Sequence, residues 1–209
     1  MINIKDLNNY DLILLDCDGV IFDTNYKKIN FFLECVKEYD RKVINNFRLF
    51  LLKNFGKSRY YMFDYFFKNL LSYDNEKIDF KLKCYAEKCR KMYLEVDFTD
   101  GFLDFMQKYN QKKIIVLSGN DENELKDIFM KRNTILFSDI LGSPSDKSSH
   151  FYYLKKKYDK RKIIFIGDST YDHQVANDNK VDFLLMKNFS IEESSFFADK
   201  IYVNSFKDL

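Results

Sequence analysis

The chain has 209 residues, of which 46% are hydrophobic and 32% charged, enough to bury one sizeable core with or without a smaller attached domain. Its 34 basic and 32 acidic residues leave a net charge of +2, so no strong overall field draws it to nucleic acid or to a membrane. No stretch has the length of a transmembrane helix, the start MINIKDLNNYD is too polar for a secretory signal, and the four cysteines lack disulfide-scaffold spacing, so we expect a cytoplasmic protein.

The first predicted strand, LILL at 12–15, runs directly into a pair of acids. Asp16 and Asp18 follow it, with Cys17 between them and Gly19 immediately after. Residues i and i+2 of an extended segment point to the same side of the chain. Both carboxylates are therefore expected to face one site, while Cys17 faces away into the packing.

Residues 25–96 contain no good strand and no proline. Their apolar periodicity predicts helices at about 25–40, 41–54, 57–71 and 75–93, with breaks at Gly56 and near 72–75. A helical block inserted after the first strand indicates a second, smaller domain. We therefore expect a core made of residues 1–24 and 97–209, and a helical domain at 25–96.

From residue 97 onward, short apolar runs alternate with helical patterns. The runs are mostly rich in Ile, Val, Leu or Phe and lack polar alternation, which is typical of strands buried on both faces of a parallel sheet. The predicted strands are 113–117, 134–137, 162–166, 182–186 and 200–203, and the predicted helices are 101–110, 122–132, 147–158 and 169–179. This alternation predicts an α/β fold with a doubly wound, Rossmann-like parallel sheet.

Polar residues follow each major predicted strand, at the sheet edge where ligands bind in open parallel sheets. Besides the acids at 16 and 18, these residues are Ser118, Gly119, Asn120, Lys147, Gly167, Asp168, Ser169 and Asp172. Three of them have an ordinary alternative: Ser118 could cap a turn, Lys147 could begin a surface helix, and Asp172 could be a helix-favouring acid in a first turn. Their common position at strand ends favours a shared site.

Four carboxylates at one edge repel one another, so the site requires a cation. Oxygen ligands without His or Cys suit Mg²⁺, which keeps several waters that a phosphate can replace. A lysine and the backbone amides near Gly19 and Gly119 add donors for phosphate oxygens. The two acids of the opening stretch can then divide the chemistry, one as nucleophile and one as proton donor to the leaving oxygen.

These residues resemble the motifs of the haloacid dehalogenase-like (HAD) phosphohydrolases. DCDGVIFDT at 16–24 resembles motif I, Ser118 in VLSGN resembles motif II, Lys147 resembles motif III, and GDSTYD at 167–172 resembles motif IV. The resemblance covers residues 10–24 and 98–209 in the family's order and spacing. The helical block lies where the family's C1 cap inserts, which implies a subfamily I phosphatase.

The resemblance implies a role for each matching residue. Asp16 attacks phosphorus and becomes an aspartyl phosphate, and Asp18 protonates the leaving oxygen and then activates water. Mg²⁺ is held by Asp16, by the backbone carbonyl of Asp18 and by Asp168. Lys147 offsets negative charge. The remaining residues support the metal site (Asp172 and Ser169) or bind phosphate oxygens (Ser118, Gly119, Asn120 and Gly19).

The FGKS stretch at 55–58 resembles the end of a Walker A loop, but Leu51 stands where that pattern needs glycine. In C1 caps, loops between helices reach over the active site. Lys57 and Arg59 are therefore candidates for contacting the leaving group, with plain surface charge as the alternative.

Several functions stay open at this point. A small phosphorylated metabolite fits a capped site, and FGKSRYYMFDYF resembles phosphatases of surface-polysaccharide pathways, so a sugar, polyol or amino-alcohol phosphate is one expectation. A β-phosphoglucomutase-like sugar phosphomutase shares the same motifs. A catalytically silent phospho-ligand-binding module is the alternative from another class, although the intact acid and lysine set speaks against it. We expect no nucleic acid or membrane partner, and the oligomeric state is unreadable from the sequence.

Overall fold

The structure is a computed structural model that describes residues 4–71, 77–134, 136–159 and 161–209. Within these residues, one sheet contains six strands: β1 (Leu12–Leu15), β2 (Lys113–Asp121), β3 (Asp139–Ser143), β4 (Ile163–Gly167), β5 (Asp182–Met186) and β6 (Tyr202–Val203). Neighbouring strands are parallel, in the order β3-β2-β1-β4-β5-β6. The predicted doubly wound, Rossmann-like α/β fold is confirmed. Strand β1 lies where the strand order reverses, the usual position of a ligand site.

Residues 25–96, called the cap below, are helical as predicted in the part that the structure describes. The helices are α1 (Asn25–Cys35), α2 (Arg41–Lys53), α3 (Arg59–Tyr65) and α4 (Ile78–Glu95), and a π-helical segment at Phe66–Leu70 continues α3. Gly56 has a φ of +91° between α2 and α3, which agrees with the predicted break there. The break predicted near 72–75 lies outside the described residues. The division of the chain into two domains stays a prediction.

Aromatic rings fill the interior of the cap. The ring of Phe32 in α1 stacks on that of Tyr85 in α4, with centroids 3.9 Å apart, and Phe47 in α2 lies 4.7 Å from Phe66. Phe63 of α3 contacts Phe32 at 5.2 Å. Such pairs each contribute about 0.5–1.5 kcal/mol beyond the apolar area they bury. These contacts fix the cap helices relative to one another. They also fix the ring of Tyr85, which stacks on Phe32.

The helices after the cap are α5 (Phe102–Lys108), α6 (Glu122–Lys131), α7 (Lys147–Lys157), α8 (Thr170–Asp178) and the short α9 (Ser194–Phe197). Helices α7 and α8 cover the sheet face that carries Leu12, Leu14 and Phe165. Helices α5 and α6 pack against the other face, and that core continues into the cap. In the part of the chain that the structure describes, none of the helices combines the length and the hydropathy that a membrane crossing needs.

The strand predicted at 134–137 is wrong. Thr134 donates its backbone N–H to the carbonyl of Phe129, so it ends the turn after α6, and the strand begins five residues later at Asp139. The ring of Phe137 packs against that of Phe129 at 4.9 Å and so serves the core outside the sheet. The strand that the structure has instead, DILGS at 139–143, contains only two large apolar residues, since its last two positions are Gly142 and Ser143. Consequently only residues 144–146 separate β3 from Lys147.

Candidate active site

Asp16 and Asp18 lie at the carboxyl end of β1, as the sequence predicts. The backbone N–H of Asp16 donates to the carbonyl of Ile166 in β4, at 2.9 Å, which ties this position to the neighbouring strand. Both side chains are buried. Cys17 is also buried and packs in the core. Two acids withdrawn from water at a strand end need partners, and the surrounding elements supply them.

Lys147 is the first residue of α7 and is completely enclosed, with 1% of its surface exposed. Its Nζ donates to Asp16 Oδ1 at 2.8 Å and to Asp172 Oδ1 at 2.5 Å. Burial alone would lower the pKa of Lys147, but the two carboxylates raise it well above its usual range, so the side chain carries a full positive charge. The alternative of an ordinary surface lysine does not fit this position.

Asp16, Asp168 and Asp172 converge on one point. Each offers a carboxylate oxygen, and these three atoms lie within 4.8 Å of one another. Burial raises the pKa of Asp16, Lys147 opposes this effect, and the charges of Asp172 and Asp18 add to it, so that the pKa lies at about 7. Burial and the charge of Asp16 also raise the pKa of Asp168 well above its ordinary value. The protein alone does not balance this negative charge.

The donor set fits a hard divalent cation such as Mg²⁺. Asp168 Oδ1 is buried and has no hydrogen-bond partner, which is unusual for a carboxylate oxygen withdrawn from water. Asp172 Oδ2 accepts hydrogen bonds from Ser169 Oγ at 2.7 Å and from the backbone N–H of Ser169 at 3.2 Å, as part of a capping box that begins α8. Hydrogen bonds at the start of α8 thus fix the carboxylate of Asp172. Oδ1 of Asp168, in contrast, has no partner and is available to bind a cation within the carboxylate cluster.

Asn25, which sequence analysis missed, holds the other oxygen of Asp168. Its Nδ2 donates to Asp168 Oδ2 at 2.6 Å and to the carbonyl of Phe189 at 2.7 Å. Gly19, with φ +72°, lies against this pair, and a Cβ there would collide with Asp168 Oδ2 and with Asn25 Nδ2. Asn25 is the first residue of α1, so the cap itself orients an acid of the candidate metal site.

Replacing Asn25 with alanine is expected to weaken Mg²⁺ binding by roughly 10- to 100-fold, because partners that orient metal ligands usually contribute that much. Isothermal titration of the protein with Mg²⁺, without any substrate, measures the change. Asn30→Ala on the exposed face of the same helix is the matched control. Equal Mg²⁺ affinity in Asn25→Ala and the wild type would show that Asn25 does not position a metal ligand.

Asp18 binds a different set of four partners, two of them from the cap. Its carboxylate accepts hydrogen bonds from Thr24 Oγ1 at 2.5 Å, Lys28 Nζ at 2.6 Å, Asn120 Nδ2 at 2.8 Å and the hydroxyl of Tyr93. Burial would raise the pKa of Asp18, but Lys28 and the hydroxyl donors lower it below its ordinary value. The carboxylate of Asp18 therefore stands apart from the Asp16, Asp168 and Asp172 cluster.

Sequence analysis missed Lys28 and Tyr93. A signal for Lys28 was present: with Asn25, Ile29 and Phe32 it follows the helical spacing of a buried stripe, and two polar residues on such a stripe are unusual. Tyr93 gave no comparable signal, because many tyrosines of this chain lie on similar helical positions.

Ser118, Gly119 and Asn120 lie at the end of β2, which runs four residues further than predicted. Ser118 Oγ accepts hydrogen bonds from the backbone N–H and from Nδ2 of Asn120, at 3.1 and 3.0 Å. Asn120 Oδ1 accepts from Lys28 Nζ at 2.6 Å. A Cβ on Gly119 would lie 2.5 Å from the carbonyl oxygen of Gly56, so the cap loop rests directly on this strand end.

The cap residues Lys57 and Arg59 lie beside the same site. The guanidinium of Arg59 forms a bidentate ion pair with Glu124 of α6, with N···O distances of 3.0 and 2.7 Å. Lys57 Nζ lies 4.4 Å from the ring centroid of Tyr61 and donates to Asn54 Oδ1. Both residues line a cavity that also reaches Asp16, Asp18 and Asn120. The structure thus brings all the predicted site residues to one region between the sheet and the cap.

The fold and the site define an α/β enzyme of the doubly wound class, with a pair of acids at the end of its central strand. The sequence model of the haloacid dehalogenase-like hydrolases matches residues 13–186, and the chain belongs to that family. The resemblance inferred from the four motifs is confirmed. No curated protein matches the chain.

Solved structures of this family are similar over nearly the whole chain. A predicted phosphoglycolate phosphatase from Haemophilus somnus 129pt is 16% identical with a TM-score of 0.71, over 96% of each chain. CbbY from Rhodobacter sphaeroides, in complex with phosphate, is 14% identical with a TM-score of 0.69, over 94% of this chain and 95% of that one. The hydrolase YfnB from Bacillus subtilis, bound to magnesium, is 14% identical with a TM-score of 0.64, over 96% of each chain. At these identities the likeness establishes the fold.

Proposed function

We propose that the chain is a cytoplasmic, Mg²⁺-dependent phosphomonoester hydrolase that acts on a small phosphorylated metabolite through an aspartyl phosphate on Asp16. The observation that carries the proposal is the enclosed Asp16 carboxylate, held by Lys147 and crowded by Asp168, whose Oδ1 has no partner. A nucleophilic acid, a fixed positive charge and an open metal-ligand oxygen are what attack on a phosphate ester requires. The phosphate and the magnesium bound to the two related structures agree with this chemistry.

Mg²⁺ would be held by Asp16, by Asp168 and by the backbone carbonyl of Asp18, with Asp172 beside them. When bound, the ion offsets the clustered carboxylates and the negative charge of the phosphate. In the first step an oxygen of Asp16 forms a bond to phosphorus and the bond from phosphorus to the leaving oxygen breaks. Asp18, whose lowered pKa keeps it ionised, takes the proton of the bound phosphate monoester and transfers it to that oxygen. Lys147 keeps its charge beside the attacking carboxylate and the developing charge on the phosphoryl oxygens.

In the second step Asp18 takes a proton from water, and the water oxygen attacks phosphorus. The bond between phosphorus and Asp16 breaks, which releases inorganic phosphate and restores the carboxylate. Ser118 and the backbone amides of Gly119 and Asn120 would bind the phosphate oxygens in both steps. The backbone N–H of Gly19, also expected from the sequence to do so, instead donates to the carbonyl of Phe22 at 2.7 Å. The cap residues around Asp18 exclude bulk water, since Lys28 and Tyr93 cover its carboxylate.

The cavity beside Asp18 has room for the water that hydrolysis requires. Its free volume is about 20 Å³, roughly the space of one water molecule. The sugar, polyol and amino-alcohol phosphates expected from the sequence remain candidate substrates, and the sugar phosphomutase remains the alternative activity.

Removing the metal is expected to lower phosphate release by at least about 10³-fold, because a bound ion supplies several kcal/mol of transition-state stabilisation. The purified protein is assayed with a panel of small phosphomonoesters, including p-nitrophenyl phosphate, with EDTA and then with excess Mg²⁺. Mg²⁺ should also raise the melting temperature of the substrate-free protein, since the ion binds only the folded site. Undiminished release in EDTA would contradict the metal requirement, and phosphate binding without any release would favour the silent binding module.

A further inference from the structure

Two cysteines of the cap meet outside the candidate active site. Cys35 is the last residue of α1 and Cys84 lies in α4, and their Sγ atoms are 3.0 Å apart although 49 positions separate them in the sequence. Neither residue takes part in the proposed reaction. A thiol is only a weak donor and a weak acceptor, so a hydrogen bond between two thiols contributes little to stability. The contact is therefore more informative about the chemistry of the two sulfurs than about the packing of the cap.

Ion pairs between the same two helices hold the sulfur atoms in this position. Glu34 accepts a hydrogen bond from Lys88 of α4 at 2.6 Å, and Glu38, just after α1, pairs with Lys81 of α4. The two acids flank position 35 in the sequence and the two lysines flank position 84, so α1 and α4 are joined on both sides of the thiol pair. Small side-chain shifts are then enough to bring the sulfurs to bonding distance.

The two thiols differ in exposure. Cys35 is 2% exposed, whereas Cys84 is only partly buried and can be reached from solvent. Burial raises the pKa of Cys35 well above its usual range and the neighbouring thiol adds to this effect, while Lys88 and Lys81 oppose it. Cys84 is therefore the thiol that a reagent in solution meets first. An accessible thiol with a second thiol beside it is the arrangement that redox-sensitive proteins use.

We propose that Cys35 and Cys84 form an oxidisable dithiol, which hydrogen peroxide converts into a disulfide between α1 and α4. In the first step the thiolate of Cys84 attacks one peroxide oxygen, so that an S–O bond forms and the O–O bond breaks. The hydroxide that leaves takes up the proton that the thiol gave to solvent. Cys84 is then oxidised to a sulfenic acid, and one oxygen of the peroxide has been reduced to water.

In the second step Sγ of Cys35 attacks Sγ of Cys84. The S–S bond forms, the S–O bond breaks, and the hydroxide that leaves takes the proton of the Cys35 thiol. Two thiols and one hydrogen peroxide thus give one disulfide and two waters. In reducing compartments such disulfides are transient and serve as redox sensors, because a reducing dithiol restores both thiols.

The disulfide would join the two cap helices that reach the candidate active site. Helix α1 carries Asn25 and Lys28, and α4 carries Tyr93, the cap residues that contact Asp168 and Asp18. The bond would also close the loop between positions 35 and 84, which contains α2 and α3, and would so restrict the unfolded chain. Oxidation is therefore expected to stabilise the cap.

The test uses the reduced wild-type protein in EDTA, treated with a small excess of hydrogen peroxide. The remaining thiols are alkylated in denaturant, and the digested protein is mapped by mass spectrometry. We expect one disulfide that joins the peptides of Cys35 and Cys84, alkylation of Cys17 and Cys89, and the return of all four thiols after dithiothreitol. The oxidised protein should melt at least about 5 °C higher than the reduced protein.

Two variants separate the dithiol from general thiol oxidation. Cys35→Ser leaves Cys84 without its partner, so the same treatment should give a sulfenic acid at position 84, which dimedone traps, and no rise in melting temperature. Cys89→Ala, the matched control, removes another thiol of α4 and should still form the disulfide between positions 35 and 84.

Peroxide treatment that leaves Cys35 and Cys84 alkylatable would overturn the proposal. So would oxidation of Cys84 to a sulfinic or sulfonic acid with Cys35 still alkylatable, or a bond from Cys84 to any other cysteine. A disulfide that forms without raising the melting temperature would contradict the stabilisation of the cap. The wild-type peptide map decides even if a variant does not fold, and since no phosphate ester is involved, the result is independent of the proposed function.

Discussion

Asp16→Asn is expected to lower phosphate release by at least about 10⁴-fold, because loss of a covalent nucleophile removes the whole two-step route. Asparagine has nearly the size of aspartate and can accept a hydrogen bond from Lys147, so the fold should survive. Its neutral amide, however, cannot attack phosphorus to form an acyl phosphate. The measurement is steady-state phosphate release with saturating Mg²⁺ and the best substrate of the panel. Circular dichroism and thermal unfolding check that the variant is folded.

Asp104→Asn, on the exposed side of α5, makes the same chemical change far from the sheet edge and should retain full activity. Comparing Asp16→Asn with Asp104→Asn separates the loss of the nucleophile from the general effect of losing one negative charge. Activity of Asp16→Asn within tenfold of the wild type would mean that another group attacks phosphorus, and the assignment of the nucleophile would be wrong.

Lys147→Met is expected to destabilise the metal-free protein by about 3–5 kcal/mol and to lower activity by roughly 10²- to 10³-fold. Removing one partner of a buried ion pair leaves uncompensated charge, and here Asp16 and Asp172 would both lose their counter-ion. The loss of activity reflects a donor missing beside the developing charge. Urea unfolding in EDTA measures the free energy of unfolding, and the same titration with Mg²⁺ should show a smaller deficit.

Lys156→Met, on the exposed face of α7, is the control and should change the free energy of unfolding by no more than about 0.5 kcal/mol. Adding Asp172→Asn to Lys147→Met should recover part of the lost stability, because it removes one of the two carboxylates left without a counter-ion. A Lys147→Met protein as stable as the wild type in EDTA would contradict the electrostatic account of the site.

The predicted site residues outside the cap share one property: each lies in a recognisable local motif after a strand of the sheet, although for Lys147 the strand itself was misplaced. Asp16, Lys147 and Asp168 could be found because parallel strands bring their carboxyl ends to the same edge whatever the loops do. The structure brings these side chains together as expected. Their chemical roles stay proposals until the variants are measured.

The partners of Asp18 and Asp168 could not be placed from the sequence. Asn25, Lys28 and Tyr93 belong to cap helices. Whether a polar side chain of such a helix reaches the acids at the sheet edge depends on how the cap packs against the rest of the chain. Local periodicity indicates the buried stripe of a helix, but it does not say what that stripe faces. The same limit explains why Arg59 was proposed as a substrate contact without its partner Glu124.

The error at β3 has a different cause. TILF at 134–137 has the composition of a buried strand, yet the turn that ends α6 uses Thr134. DILGS carries too few apolar residues to stand out, although its pairing with β2 makes it a strand. In a parallel sheet the hydrogen bonds to a neighbouring strand can outweigh local composition, and these are long-range contacts that a sequence window does not contain.

The cap has a consequence for how the site works. Lys28 and Tyr93 contact Asp18, Asn25 contacts Asp168, and Gly56 rests on Gly119, so the cap completes the surroundings of one reacting acid and of one candidate metal ligand. A leaving group that displaced the cap from these contacts would therefore be processed slowly even if its phosphate binds. The cap contacts that complete the site would therefore also select the substrate.

The central claim is that Asp16 carries the phosphoryl group, and chemical trapping tests it most directly. An Asp18→Asn protein is given Mg²⁺ and acetyl phosphate, whose leaving group needs no proton, so the first step proceeds while water attack is slow. Quenching with borohydride reduces an acyl phosphate to an alcohol, and mass spectrometry of the peptide then reports homoserine at position 16. We predict about one homoserine per protein at residue 16, and none when Asp16→Asn is added. Phosphate release by the wild type with residue 16 unmodified in every quenched sample would contradict the account.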